Sequence, residues 1–392
     1  MPTSRRSSSR AADMSMSSSR ASSTAAGHVS VAIPMLTLVP GGMGGSETYA
    51  RELVRSLANF EGLSVESYVP SSAAGFSAGV PEVIIDSVSP TSSLTDRVFN
   101  LVKIHLAGRA IRARFVTADV VHYPFTVMLP GANRGQATVQ TLLDVQHLEL
   151  PALFSRAELE YRRVFYERAA RRADVIVTIS EFAKRRMVEL LGLKEDRVIV
   201  AHLGVDASAF TPNTGERENF ILYPARGWQH KNHARLIEAV EILRRDDPEL
   251  RLVLTGGGLE SLGELPSWVD RRGLVSENEL RDLYRSAGVL AFPSLYEGFG
   301  LPPLEAMASG CPVAASDAGS IPEVVGDAAV LFDPRDSADI ARGISDALHR
   351  GAKLSTRGVE HARRFTWDAC AARHAEAYRL ARDVRQSTVR AG

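Results

Sequence analysis

Two carboxylates, Glu297 and Glu305, stand with seven residues between them around the elbow Gly298-Phe299-Gly300. The apolar lead-in Val289-Leu290-Ala291-Phe292 predicts a buried parallel strand. After the elbow, Leu301-Pro302-Pro303 opens a short helix that stops at Gly310, and Pro312–Ser316 predicts the next strand. Helix amides and dipole at the carboxyl end of a strand form an anion cradle. Glu297 lies on the loop, within reach of a ligand's hydroxyls. Glu305 lies about one turn into the helix, like the acidic residue that takes ribose hydroxyls in dinucleotide folds. Sugar hydroxyls, a diphosphate and a ribose would satisfy all three elements. The plainer account, surface carboxylates on an exposed helix, leaves the two glycines and their close backbone approach unexplained.

A second cluster supplies cations. Arg226 and Lys231 follow the predicted strand Asn219–Tyr223 and can neutralise a diphosphate as it departs. Cations at a helix N-terminus oppose the dipole, so a solvated helix start explains them less well. In the first half, Gly41–Gly45 precedes the helix Ser46–Phe60. No Gly-Lys-Ser/Thr follows, so this is not a P-loop, yet its amides at Gly42 and Gly44 can face a phosphate. Asp144, Gln146 and His147 follow the predicted strand Thr138–Leu143; a turn or cap role for Asp144 stays open beside a catalytic one. His122, ending the strand Asp119–Tyr123, reads as a structural hydrogen-bonder. Arg97–Arg114 interleaves Lys103, Arg109, Arg112 and Arg114 with Val102, Leu106, Ile111 and Phe115. Such a segment can touch anionic lipid or a lipid-phosphate acceptor, although a solvated helix face is the simpler account.

These residues need a scaffold. From Val29 onward short β-rich runs alternate with helical ones, which predicts parallel βαβ units. One series uses Val31–Val39, Leu63–Val69, Asp119–Tyr123, Thr138–Leu143, Asp174–Ile179 and Arg197–Ala201. The other uses Asn219–Tyr223, Arg251–Thr255, Gly288–Phe292, Pro312–Ser316 and Ala328–Phe332. Two series imply two doubly wound α/β domains, broken at Asp206–Glu218 near the cluster Thr211–Gly215. A length of 392 residues suits two such cores. Net charge is +0, so no global field selects nucleic acid as a partner. Cys311 and Cys370 are the only cysteines, which excludes a disulfide framework and fits a reducing compartment. With no apolar run long enough to span a bilayer, the expectation is a cytoplasmic protein. Residues 1–27 are rich in Ser, Ala and Arg and nearly devoid of large apolar side chains, so a disordered tail is expected there.

The stretch Pro293–Gly310 closely resembles the signature of the retaining glycosyltransferases of family four, the group 1 class with the GT-B fold. Phe220–Asn232 resembles the family's strand, arginine, short loop and Lys-Asn pair. Asp174–Phe182 and Val200–Asp206 resemble its central landmarks, and Gly41–Glu47 its first glycine loop. The resemblance runs from about residue 30 to the C-terminus, with the motifs in the family's order. It implies two Rossmann-like domains facing across a cleft, residues 28–205 on the acceptor side and 206–365 on the nucleotide-sugar side. A final helix, 366–392, would cross back to the first domain. By the same resemblance Glu297, Arg226, Lys231 and Asp144 are catalytic. Gly42, Gly44, Arg226, Lys231, Val275, Glu297, Gly298, Phe299, Gly300, Leu301 and Glu305 would bind the donor. Family members often carry His-Asp where this chain has Leu143-Asp144. The implied reaction moves a hexose from a GDP-, UDP- or dTDP-sugar to a hydroxyl of a glycan or glycolipid, with retention and without metal or cofactor. A nucleotide-sugar 2-epimerase or hydrolase, or a binding protein without catalysis, are the alternatives. Peripheral contact with the inner face of the membrane is the remaining partner expectation.

Overall fold

The computed structural model of the protein describes residues 27–88, 94–213 and 215–391. The tail expected at 1–27 lies outside the described residues apart from Gly27, and Thr214 of the linker cluster is also outside them.

Among the described residues thirteen strands form two separate sheets. The first contains β1 (Val29–Pro34), β2 (Leu63–Pro70), β3 (Glu82–Ile85), β4 (Val120–Tyr123), β5 (Ala137–Thr141), β6 (Val175–Thr178) and β7 (Val198–Val200). Their order is β3-β2-β1-β4-β5-β6-β7, with every pair parallel. The second contains β8 (Glu218–Pro224), β9 (Arg251–Thr255), β10 (Val269–Gly273), β11 (Ala287–Phe292), β12 (Val313–Ser316) and β13 (Val330–Phe332), ordered β10-β9-β8-β11-β12-β13, again parallel. Both faces of each sheet are covered, which is why the strands read as nearly continuous apolar runs. On β1, Val31 and Ile33 join one buried cluster with Leu53 and Val54, while Ala32 joins another with Leu101 and Val121.

The helices are α1 (Gly45–Leu57), α2 (Leu94–Leu106), α3 (Gly108–Arg114), α4 (Gln146–Glu149), α5 (Arg156–Arg162), α6 (Arg168–Arg172) and α7 (Glu181–Leu191) in the first domain. The second holds α8 (His233–Leu243), α9 (Glu277–Ser286), α10 (Leu301–Ala308), α11 (Ile321–Val325), α12 (Ser337–His349) and α13 (Gly351–Ala362). Then α14 (Trp367–Ala391) returns to pack on α1, β5 and β6 of the first domain. The two doubly wound domains, the cleft and the crossing helix are the GT-B arrangement.

Edge strands β3 and β10 go beyond the sequence expectation. Val269-Asp270-Arg271-Arg272-Gly273 is too polar to show a strand pattern, because an edge strand buries only one side. The basic segment Arg97–Arg114, expected as one element, is two helices broken at Ala107.

A buried polar chain seats α14. Among the polar atoms of this chain the last, the Cys370 carbonyl, can only accept, so it fixes every donor before it. His374 Nδ1 donates to the Cys370 carbonyl at 2.8 Å, leaving its Nε2 to accept from the Tyr49 hydroxyl at 2.8 Å. Tyr49 therefore accepts from Thr141 at 2.7 Å, and Thr141 from His122 Nε2 at 2.8 Å. His122 Nδ1 then accepts from Tyr378 at 2.9 Å. His122 is thus the structural hydrogen-bonder its strand-end position predicts. Arg385 adds a bond of 2.7 Å to Asp174.

Candidate active site

The strand order of each sheet reverses once, between β1 and β4 in the first and between β8 and β11 in the second. Ligands of open α/β sheets bind beyond the strand carboxyl ends at such points. Arg226 and Lys231 follow β8, and Glu297 follows β11, so they straddle the second reversal. Across the cleft the segments after β1 and β4 contribute Thr37, Val39, Phe125 and Val127 to a cavity of about 600 Å³. The same cavity takes Gly42, Arg226, Trp228 and His230 as lining, so it joins the two reversals.

The second-domain charges are organised before any ligand arrives. Lys231 Nζ donates to Glu297 Oε1 at 2.5 Å, with both side chains about six-sevenths buried (14% and 15% exposed). The Lys231 carbonyl accepts from Tyr223, whose ring packs on Phe292, so the cation hangs from the end of the central strands. Asn232, with φ 63, donates to the Pro293 and Pro334 carbonyls, pinning the loop. Burial, and then the Lys231 charge, lower the pKa of neighbouring His230 to about 4, so it is neutral at pH 7. Arg226 lies 5.4 Å from the Trp228 ring centroid, and its guanidinium comes within 3.5 Å of the Gly42 carbonyl across the cleft. Gly44, with φ 58, precedes α1 beside that guanidinium.

The elbow is tied to the opposite domain. A Cβ on Gly298 would stand 3.0 Å from the Leu143 carbonyl and 3.3 Å from the Asp144 Cβ, so a side chain here would push the domains apart. Gly300 has φ 128, and a Cβ there would meet Ile321 at 2.7 Å. Ser180 donates to the Gly298 carbonyl at 2.8 Å. Glu323 of α11 accepts from the first amides of α7, Glu181 at 2.8 Å and Phe182 at 2.9 Å, and from His202 at 2.7 Å. Burial alone would raise its pKa; those hydrogen bonds outweigh it and hold the carboxyl below its ordinary range.

Asp144 therefore lies beside Glu297 and Gly298. Burial raises its pKa most; the Gln146 amide, at 3.0 Å, and Arg162 partly oppose this. A raised carboxyl that still feels Glu297 and Lys231 is placed to meet charge developing between the domains. Leu143 occupies the position of the family's histidine. His147 does not replace it simply: it is nearly fully buried, its Nε2 lies 3.5 Å from the Glu167 carboxylate, neither ring nitrogen has a hydrogen-bond partner among the described residues, and burial lowers its pKa to about 4.

Glu305 emerges from α10, whose Leu304, Ala306 and Met307 are buried. It accepts from Tyr284 at 2.8 Å, and burial raises its pKa. Phe299 is buried in the elbow and Leu301 begins α10. Val275 follows β10, whose Gly273 carbonyl accepts from Gly256, on the loop that also contacts Ala225 and Arg226. Among the described residues no three His, Cys, Asp or Glu side chains converge to hold a metal ion. Arg162 and the aromatic wall of the cavity stand outside every sequence motif, signalled only by the density of aromatic residues between Phe154 and Tyr166, and Trp228 lies within the Phe220–Asn232 motif without an expected role.

Residues 43–209 match the family described as Glycosyltransferase Family 4, and residues 206–365 the one described as Glycosyl transferases group 1. The chain is 28% identical over 287 residues to the O-antigen chain mannosyltransferase B of Escherichia coli, covering 67% of this chain and 74% of that protein. Sucrose-phosphate synthase from Thermosynechococcus elongatus superimposes with a TM-score of 0.75 at 21% identity, over 90% of this chain and 98% of that one. Anabaena HepE, solved with UDP and glucose, gives 0.67 at 17% identity, over 89% and 99%. Matched motifs, paired parallel sheets and the joined cleft lead to one conclusion: the chain belongs to the group 1, family 4 glycosyltransferases of GT-B fold and is an enzyme of that transferase class.

Proposed function

We propose that this glycosyltransferase moves a hexose, with retention, from a nucleotide diphosphate sugar to a hydroxyl of an envelope glycan, polysaccharide or glycolipid. The observation that carries this reading is the buried Lys231–Glu297 pair at the second-sheet reversal, facing Asp144 across the cleft. Residues 206–365 form the donor half and 28–205 the acceptor half. Glu305 takes the ribose, the loop containing Val275 the base, and Glu297 the sugar hydroxyls. Gly42, Gly44, and the backbone from Gly298 through Leu301 line the donor. The acceptor oxygen bonds to the anomeric carbon on the face the diphosphate leaves. The bond from that carbon to the diphosphate breaks with its electron pair going to the phosphate oxygen. That oxygen receives the acceptor's proton. Arg226 and Lys231 stabilise the charge growing on the diphosphate, and Asp144 the positive charge on the sugar. Two cations do the work of a metal at the diphosphate, so turnover survives EDTA; activity restored only by Mg²⁺ or Mn²⁺ contradicts this.

Support for a nucleotide-sugar donor comes from the UDP and glucose of the Anabaena protein, and for a mannosyl group from the name of the O-antigen relative. A thermal-shift panel of UDP-, GDP- and dTDP-sugars tests the donor, because a ligand of the native state raises Tm. The anomeric configuration of the product, read by NMR, tests retention. Free sugar released without acceptor would mark a hydrolase instead.

We further propose peripheral contact with anionic lipid, at the inner membrane face in the cytoplasm. No described helix is long and apolar enough to cross a membrane. On α2, however, Val98, Phe99, Val102 and Leu106 are exposed, Leu106 by 78%. Lys103 lies over Phe99, and no Asp or Glu occurs from Val98 to Ala118. An apolar face with cations and no anions suits an anionic bilayer. Phe99→Ser with Leu106→Ser should abolish sedimentation with phosphatidylglycerol vesicles; unchanged sedimentation contradicts it.

A further inference from the structure

The donor chemistry leaves one cation of the cleft without a task. Arg162 ends α5, is half-buried and lines the cavity on the first-domain wall, facing the side that carries Arg226. Its guanidinium carbon lies 4.4 Å from the Phe154 ring centroid and 5.2 Å from that of Tyr166. Among the described residues it makes no salt bridge and donates no hydrogen bond. Glu158, on the same wall, is occupied by the capping box of α5, taking the Ser155 amide at 2.9 Å and hydroxyl at 2.8 Å. Asp144 feels the Arg162 charge but is not ion-paired to it.

Two further features mark this place. The chain passes from Arg162 straight into a π-helical turn, Arg163–Glu167, which displaces the side chains that follow by a residue. Such turns are rare and gather at functional sites. Behind it, His147 is held neutral by burial and by Arg162 itself, so it neither repels nor competes for an incoming anion. A guanidinium stacked on aromatic rings is already oriented, and loses little freedom when its fork takes an oxyanion. A half-buried cation with no ion pair among the described residues keeps its fork available to an oxyanion of a ligand.

We infer that Arg162 reads the acceptor: the acceptor carries an oxyanion, a phosphate ester or a carboxylate, which the Arg162 fork binds on the first-domain wall while its hydroxyl approaches Asp144. The donor diphosphate does not compete, because Arg226 and Lys231 hold it on the opposite wall. Arg162 is then a specificity-determining residue for acceptor charge, an inference that rests on the transferase reading above.

The test uses the full chain saturated with whichever nucleoside diphosphate raises its Tm. Glucose 6-phosphate, glucuronic acid and methyl glucoside are then titrated by calorimetry, the first two arms distinguishing phosphate from carboxylate. One anionic probe should bind at least about tenfold more tightly than the neutral one, the scale of a hydrogen-bonded charge. Arg162→Gln should remove that preference while leaving nucleoside diphosphate affinity unchanged. Arg162→Lys, a point charge without fork or stacking plane, should lose most of it and carries the test where the glutamine variant does not fold. An equal anion preference in these variants, or none in the wild type, overturns the role of Arg162 and leaves the transferase reading standing. A wild type that binds no nucleoside diphosphate overturns both.

Discussion

The two walls of the cleft are built in opposite ways. The second-domain wall comes from two contiguous stretches, Ala225–Asn232 and Pro293–Glu305, set on adjacent central strands β8 and β11. Its Lys231 and Glu297 are paired and buried and Asn232 pins their loop to the Pro293 and Pro334 carbonyls, while Arg226 stacks on Trp228 with no salt bridge among the described residues. The first-domain wall draws on α2, the segments after β1 and β4, and the region from Phe154 to Tyr166. It is aromatic and carries Arg162 with no salt bridge among the described residues. A rigid, locally encoded wall suits a donor whose diphosphate and ribose recur from enzyme to enzyme. An assembled aromatic wall suits an acceptor that does not.

Breaking the rigid wall should have the largest effect. Lys231→Met removes a stabiliser of leaving-group charge, worth about 2.7–4 kcal/mol of barrier, or a loss of roughly 10²–10³ in kcat. It also strands Glu297 without its partner, so Tm should fall as well. Steady-state kinetics on folded protein separate these outcomes. A raised KM with unchanged kcat would show that Lys231 binds ground and transition states equally.

At the junction of the walls, Asp144→Asn keeps the shape and removes the charge. A loss of about tenfold to a hundredfold in kcat is expected, smaller than for Lys231 because in the proposed arrangement Glu297 also faces the sugar. Leu143→His should cost less than Asp144→Asn while not improving turnover. Leu143 is packed against the core, and imidazole there would need a new partner. Undiminished kcat in Asp144→Asn would take Asp144 off the catalytic list.

Glu305→Ala sharpens the contrast within the donor wall. Free nucleoside diphosphate and nucleotide sugar should both weaken by about tenfold, the order of one hydrogen bond to a charged group. Glu297→Ala should instead slow transfer with little change in free nucleotide affinity. Equal weakening of free nucleotide by both substitutions would erase the proposed division between ribose and sugar.

The asymmetry also explains what could be read without coordinates. β9 is Arg251–Thr255 as its apolar run predicts, and the other central strands fall within a few residues of expectation except β1, which ends at Pro34 and not at the expected Val39. Burial on both faces writes them as apolar blocks. Edge strand β10 escaped because its Val269-Asp270-Arg271-Arg272-Gly273 carries no apolar block, and β3 because its apolar run is only Val83-Ile84-Ile85. Glu297, Arg226 and Lys231 were visible as local motifs; their ion pair was not, since it joins residues from two strands. Arg162 was invisible for a stronger reason. Its meaning depends on Phe154 and Tyr166 closing on it and on the carboxylates nearby being otherwise engaged, which spacing does not encode. The contact of Gly298 with Leu143 and Asp144, which brings the walls together, is likewise a property of the closed pair of domains.

The smallest effect at neutral pH concerns the joint at which the last helix, α14, packs on the first domain. In the chain from Tyr378 to the Cys370 carbonyl, His374 Nε2 must accept a hydrogen bond, so it has no room for a second proton. Burial lowers the His374 pKa to about 4, and burial together with His374 holds His122 well below its ordinary range. The groups facing them are the neutral hydroxyls of Tyr49, Thr141 and Tyr378 and the Cys370 thiol, so among the described residues no carboxylate hydrogen-bonds to them to offset protonation. In the unfolded chain a histidine titrates near 6.5. The unfolded state therefore binds protons first as pH falls. The stabilisation from keeping His374 neutral is complete above that value and is lost progressively toward pH 4. At one unit below the unfolded pKa the loss is about 1.4 kcal/mol for this one side chain. His374→Phe removes the titration. It should lower Tm at pH 7.5, where Tyr49 loses its acceptor, yet flatten the further fall in Tm between pH 7 and pH 5 relative to the wild type. Parallel Tm–pH curves would mean that His374 titrates alike in the folded and unfolded chains, and would remove the support for a hydrogen-bond chain that keeps it neutral.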